Sequence, residues 1–264
     1  MKETTENPHI LKGNVMAARR KQVSPIESLV LLLWLIIEAI IILIIRIIKF
    51  LYDLITFFAS KYKLKSGNNF FKTYFNKGNY GEFVLYRKMI HLLGKESVLT
   101  NVYLENKNTD TTEIDVLAVS TKGIYVFEMK NFAGYIYGSD QDQNWTQVLN
   151  RWSKHQFYNP LRQNYAHTKA VELFLEISKE SIVPMVVFSN RSKLSKIDVK
   201  EHHNVFQYKE AVKFVKKNEK KGMDILSLQQ KQDFVIRLLD RCNMSEEIKQ
   251  KHIDDVKALQ NKVV

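Results

Sequence analysis

Between Ser28 and Ser60 the chain is apolar almost without interruption. Leu29 to Ile45 holds one charged residue, Glu38, and the run continues past Arg46, Lys49 and Asp53 to Ala59. Seventeen helical residues span roughly 26 Å, close to a hydrocarbon core of about 30 Å, and extension to Leu51 gives a helix that crosses with tilt. The apolar part starts late, is long, and is followed by no small-residue cleavage site. It therefore predicts a retained membrane helix over residues 28–60 rather than a removed leader, single-pass or re-entrant. Glu38 needs a partner, a proton or the shelter of a bundle at that depth. Arg46 shares its face about 12 Å away, too far for a bond within one helix, so pairing between copies would link Glu38 to self-association.

Beyond this segment the pattern changes to short elements. Residues 61–77 are polar, basic and aromatic and read as a linker. A helix is predicted from about Tyr80 to Leu93, with Asn79 as cap and Glu82 three residues on. Val98 to Leu104 alternates as a strand, and Glu113 to Val119 and Ile124 to Lys130 are two more, joined by Ser120-Thr121-Lys122-Gly123. Tyr135-Ile136-Tyr137 predicts a short strand before an Asp/Gln-rich loop. A helix from Pro160 or Leu161 to Ser178 places Leu161, Tyr165, Thr168, Val171 and Leu175 near one face. Val183 to Phe188 is a continuous apolar run, as in a buried parallel strand, and Val205 to Tyr208 is a further strand. Helices are expected over Lys209–Lys217, Ser227–Arg241 and Ser245 to about Gln260. A hairpin flanked by helices and followed by a buried strand predicts an α/β fold with a mixed central sheet, preceded by the hydrophobic transmembrane helix and followed by C-terminal helices.

Composition narrows the class. With 264 residues, 45% hydrophobic, nine Gly and four Pro, the chain is neither disordered nor fibrous. Its lone cysteine, Cys242, excludes an internal disulfide and a Cys-based zinc site. A net charge of +12 favours an anionic partner, nucleic acid or anionic lipid. Lys and Arg are nearly balanced about the apolar segment, with a slight excess after it, which leans toward a cytoplasmic domain on that side.

The chemistry lies in the hairpin. Pairing Val119 with Ile124 sets Leu117 opposite Val126 and Asp115 opposite Glu128, with Lys130 further along the same face. Two opposed carboxylates repel by about 0.2–1 kcal/mol when exposed and more when buried. A divalent cation reverses that sign, and magnesium is commonly held by one or two carboxylates with waters and phosphate oxygens. An adjacent lysine can stabilise phosphate charge or polarise a water. The plainer reading is a surface ion-pair cluster bridged by Lys130.

Glu113-Ile114-Asp115-Val116-Leu117-Ala118-Val119, Gly123 through Glu128-Met129-Lys130-Asn131, and Gly134-Tyr135-Ile136-Tyr137-Gly138, with Gly81-Glu82, Trp145, Asn159-Pro160, Gln163 and His167, together resemble the nuclease-related domain (NERD) of the PD-(D/E)XK restriction-endonuclease-like superfamily. The resemblance spans residues 78–190 and implies an αβββαβ core that cleaves nucleic acid, DNA first, with Mg²⁺ or Mn²⁺. It implies Asp115, Glu128 and Glu82 as metal ligands, Lys130 beside the water, and Gln163 as the polar position on the following helix. Ile114 stands where the superfamily name has proline. Glu82 also fits a capping box with Asn79. His167 reads as a satisfied surface histidine, and Trp145 and Trp152 as packing residues.

Of the basic residues in the extension 191–264, Arg191, Lys193 and Lys196 follow the buried strand most closely and are the candidates for phosphate contact. The organisation expected is a basic segment 1–27, the membrane helix, the linker, the nuclease-like domain and this extension. The function expected is a membrane-anchored, metal-dependent nuclease facing the cytoplasm. A scaffold that only grips nucleic acid or a protein at the membrane is the alternative.

Overall fold

The computed structural model describes residues 24–106, 111–200 and 204–242. Arg19, Arg20, Lys21 and the helix expected over Ser245–Gln260 lie outside them. The fold is mixed α/β, with two mixed sheets, flanking helices and an N-terminal apolar helix. That helix, α1 (Pro25–Ala59), is long and apolar enough to cross a membrane by length and composition. The chain divides into two compact units, Met1–Leu51 and Tyr52–Val264.

Within the second unit, the last turns of α1 are structural. Asp53 and Phe57 are both 1% exposed. Phe57 lies against the rings of Tyr62, Phe70 and Phe83 at centroid distances of 5.5–5.7 Å. The expected linker is therefore folded: it forms α2 (Tyr62–Ser66) and α3 (Phe70–Phe75), whose Tyr62 and Phe70 are buried. Aromatic residues spaced by lysines on two short helices have no clear period, so the pattern alone reads as a linker. Next comes α4 (Lys77–Leu93). Its cap is Asn76, whose side chain accepts from the Asn79 N–H. The helix begins three residues earlier than expected, so Glu82 is its sixth residue and no capping box includes it.

The first sheet has order β1-β2-β3-β7-β9, from β1 (Val98–Glu105), β2 (Thr111–Ser120), β3 (Gly123–Lys130), β7 (Ile182–Phe188) and β9 (Val205–Gln207). β2 and β3 pair as the pattern requires, Val119 with Ile124 and Leu117 with Val126, and Gly123 carries a φ of 125° at the turn. β7 runs parallel to β3 and β9 parallel to β7. Leu117, Val119, Ile124 and Val126 are fully buried against Ala170, Val171 and Leu175 of α5 (Pro160–Leu175) and Phe234 and Leu238 of α7 (Leu228–Leu239). Between β9 and α7, α6 (Tyr208–Lys221) buries Ala211 and Val215.

The second sheet, order β6-β5-β4-β8, was legible only at β4 (Gly134–Ser139). β5 (Asn144–Asn150), β6 (Ser153–Tyr158) and β8 (Ser192–Asp198) complete it. β4 follows β3, and β8 follows β7, after three residues each; β3 pairs in parallel with β7, and β4 with β8. Hydrogen bonds from Ser189 N to Lys130 O (3.0 Å) and from Gly134 N to Arg191 O (3.2 Å) bridge the breaks. Trp145 is buried and stacked on Phe188 at 6.0 Å, the packing role expected of it. Trp152 is not a packing residue: it is 84% exposed at the β5–β6 turn, because the hairpin extends beyond the core under it.

Candidate active site

Asp115 sits where the sheet opens. On the β1 side the ladder pairs Thr100 with Val116 and Val102 with Ile114 and skips Asn101. Asn101 has a φ of 52°, a conformation asparagine tolerates better than most residues. On the β3 side the ladder ends at Val116–Phe127, one step short of the expected Asp115–Glu128 pair. Side chains take over there. Asp115 Oδ2 accepts from the Met129 N–H at 2.9 Å, and the Asp115 carbonyl accepts from Thr100 Oγ1 at 2.7 Å. Side-chain bonds thus replace the ladder on both sides of β2 at the level where carboxyl groups gather.

Glu128 is 1% exposed, and both its oxygens are engaged. Lys130 Nζ lies 2.7 Å from Oε1, and His167 Nε2 lies 2.9 Å from Oε2. Lys130 also donates to Gln163 Oε1 at 3.0 Å. The first turns of α5 supply Gln163 and His167, four residues apart on one face. Asn159 caps that helix through the Leu161 N–H and donates to the carbonyls of Ser139 and Asp142, so the second sheet fixes where α5 begins. From the other side, α4 brings Glu82 in. Gly81 allows this approach: a Cβ there would lie 2.6 Å from Asn131 Cβ, immediately after Lys130.

The charges explain one another. Burial, then repulsion by Glu113 and Glu128, push the Glu82 carboxyl up to about 8, with Lys130 opposing. Burial and repulsion by Glu128 and Glu82 raise Asp115 well above the usual carboxylate range. Burial also disfavours the Glu128 anion, but the Lys130 ammonium and the His167 hydrogen bond outweigh it and hold that carboxyl below its ordinary value. Desolvation works against the Lys130 ammonium, and the charges of Glu128 and Asp115 more than compensate. The result is one ion pair, Glu128–Lys130, facing two acids that resist ionisation together.

His167 departs from the surface role expected of it. It is 3% exposed, and its Nδ1 is 2.8 Å from Thr112 Oγ1. An ionised carboxylate only accepts, so Nε2 carries a proton toward Glu128, while Nδ1 shares a hydrogen bond with the Thr112 hydroxyl. Thr112 and Asn101 are the other residues the sequence did not mark; Asn101 Nδ2 donates to Glu113 Oε1. The signals were an asparagine inside a strand pattern and a histidine four residues after Gln163. Arg191 donates to the Asn131 carbonyl and side chain at 2.8 and 3.0 Å. Lys193 and Lys196 extend from β8, away from this cluster in sequence and exposed.

Among the described residues, no group of three or more His, Cys, Asp or Glu side chains is drawn together tightly enough to hold an ion by itself. Magnesium needs less, since one or two carboxylates with waters and phosphate oxygens suffice. Asp115 and Glu82 offer hard oxygen donors whose mutual repulsion a cation would relieve, and in that sense the donor set fits.

The sequence profile of the nuclease-related domain family matches residues 77–189. An uncharacterized protein of Bacillus anthracis is 34% identical over 191 residues, covering 70% of this chain and 85% of that protein. Among solved structures, that of AF1548, a protein of unknown function, covers 70% of this chain and all of the other at 14% identity, with a TM-score of 0.29, too low to carry an argument.

Proposed function

The chain belongs to the nuclease-related domain family, and from that premise we propose that it is a membrane-anchored phosphodiester hydrolase acting on nucleic acid, DNA first. The observation that carries this reading is the buried Glu128–Lys130 pair set against two carboxyls, Glu82 and Asp115, whose ionisation burial and the charge of Glu128 both oppose. A purely structural cluster gains nothing from an excess of buried acid, whereas a site for a divalent cation and a phosphate does.

Asp115, Glu82 and Glu128 would hold Mg²⁺ or Mn²⁺, which when bound supplies Lewis-acid polarisation of the phosphate and a more acidic water. Lys130 is held by Glu128 and Gln163 with its side chain 19% exposed, and its ammonium would meet phosphate charge as it builds. His167 keeps Glu128 oriented and ionised. The apolar helix α1 would anchor the domain on the cytoplasmic side, toward which the slight excess of Lys and Arg after it leans.

The test is cleavage of single- and double-stranded DNA and RNA by the full chain in nonionic detergent with Mg²⁺ or Mn²⁺. Asp115→Ala and Lys130→Ala should each lower the rate by at least about a hundredfold, the scale of losing one charge-stabilising group. Cleavage indifferent to both substitutions would refute the assignment. No cleavage of any substrate with binding intact would leave a nucleic-acid-gripping scaffold.

A further inference from the structure

The second sheet has two faces of different character. One buries Ile136, Trp145, Phe157, Leu194 and Ile197 against Phe132 and Phe188. The other carries Tyr135 and Tyr137 of β4, 46% and 37% exposed, although tyrosines on strands usually gain most by burying their rings. The strand register lines these up with their neighbours. Lys154 and Val148 lie on one side of Tyr135 and Lys193 on the other, making one row across all four strands. Gln156, Thr146, Tyr137 and Lys196 make the next. Neighbouring strands are about 4.8 Å apart and the rows about 6.7 Å apart. Lys193 Nζ stands 5.8 Å from the Tyr135 ring centre. The acidic residue at an outward position is Asp198, at the far end of β8.

We propose that this face binds single-stranded nucleic acid, with bases stacking on Tyr135 and Tyr137 and phosphates meeting Lys154, Lys193 and Lys196. The proposal deepens the nuclease reading and rests on it for the class of ligand. Two flat rings at a two-residue spacing, rimmed by lysines and nearly free of acid, form a platform for unpaired bases. A duplex hides its base faces and would leave the tyrosines unused. β4 and β8 begin four residues after Lys130 and Phe188, so the platform starts within a few residues of the strand end that carries Lys130.

Binding is measured without cleavage, on the full chain in nonionic detergent with EDTA, by fluorescence anisotropy. The probes are oligothymidylate and oligouridylate of about 20 nucleotides, long enough to span such a site, and a duplex of equal length. The single strands should bind at least several-fold tighter than the duplex. The Tyr135→Ala/Tyr137→Ala pair should weaken single-strand binding by roughly 10- to 100-fold, while Tyr135→Phe/Tyr137→Phe, which keeps the stacking faces, should stay within about threefold of wild type. Lys154→Ala/Lys193→Ala should flatten the slope of log affinity against log salt by about 1.4, near 0.7 per lysine. Equal affinity for duplex, an alanine pair indistinguishable from wild type, or a phenylalanine pair as impaired as the alanine pair with unchanged circular dichroism would each overturn the proposal. A face that lies on lipid instead would leave single-strand affinity untouched by both tyrosine variants. Because no metal is present, failed cleavage and failed binding are separate results.

Discussion

Glu82 shows how a single side chain reports on the whole site. Its ordinary carboxyl value is 4.5, and in the fold burial and the charges of Glu113 and Glu128 push it up to about 8. Between those values the folded chain binds more protons than the unfolded one, so this residue's contribution to stability falls as pH rises through the window. Glu82→Gln removes that dependence. In EDTA, the melting-temperature advantage of the Gln variant over wild type should grow from pH 5 to pH 8. Millimolar Mg²⁺ should shrink or invert it at pH 8, because a cation stabilises the wild-type anion. Differential scanning calorimetry checks this, and an advantage that stays flat with pH would show that Glu82 is not crowded by other acids. Asp115, Glu128 and Lys130 could be brought together from sequence because a short turn and alternating apolar residues fix a hairpin's register. His167 and Thr112 could not, because their contact depends on how α5 lies on β2. The apolar period placed Leu161, Tyr165 and Thr168 on the inner face, yet Tyr165 is 63% exposed and Asn164 and His167 face inward. Polar residues that serve a site are counted as outward by any hydrophobic pattern.

At the level of elements, the same blindness hid most of the second sheet. β5, β6 and β8 turn few apolar side chains inward, Trp145, Phe157, Leu194 and Ile197, among residues such as Thr146, Gln156, Lys193 and Ser195, so their half-polar alternation reads as loop. The first sheet was legible because β3 and β7 are covered on both faces and read as apolar runs. Helix α4 was found but mis-started, and its docking rests on one glycine. By propensity alone, Gly81→Ala should stabilise a helix interior by about 1 kcal/mol. Against this, the new methyl would stand 2.6 Å from Asn131 Cβ, on a residue whose side chain already donates to the Lys77 carbonyl at 2.6 Å and whose carbonyl and side chain receive Arg191. Overpacking of that kind costs about 1–3 kcal/mol. The clash wins. Gly81→Ala should lower the urea unfolding free energy and, by moving α4 off the strand end, reduce any metal-dependent cleavage further than the stability loss explains. A variant as stable as wild type would mean that α4 has room to slide.

For the molecule as a whole, the decisive boundary is where the apolar helix stops being membrane-like and becomes core. Hydropathy runs on to Ala59 and suggests cutting at residue 60, but the contacts place the division near residue 52. Asp53 accepts from Tyr80 at 2.8 Å and from Arg87 at 2.7 Å, and Arg87 also donates to Thr56 at 2.9 Å. A carboxylate 1% exposed beneath a membrane-like stretch is tolerable only with such partners, and its removal strands the Arg87 guanidinium. Phe57 contributes more, since emptying a buried phenylalanine site costs about 3–5 kcal/mol, a large part of the 5–15 kcal/mol that typically holds a domain together. A chain beginning at Tyr52 should therefore be soluble and unfold cooperatively, whereas one beginning at Lys61, though free of the same apolar helix, should melt at least ten degrees lower or aggregate on expression. Comparing the two by thermal unfolding and size-exclusion chromatography separates anchor from core. Equal stability would mean that the aromatic cluster around Phe57 closes without it, and that the apolar helix ends where hydropathy, rather than packing, says it does.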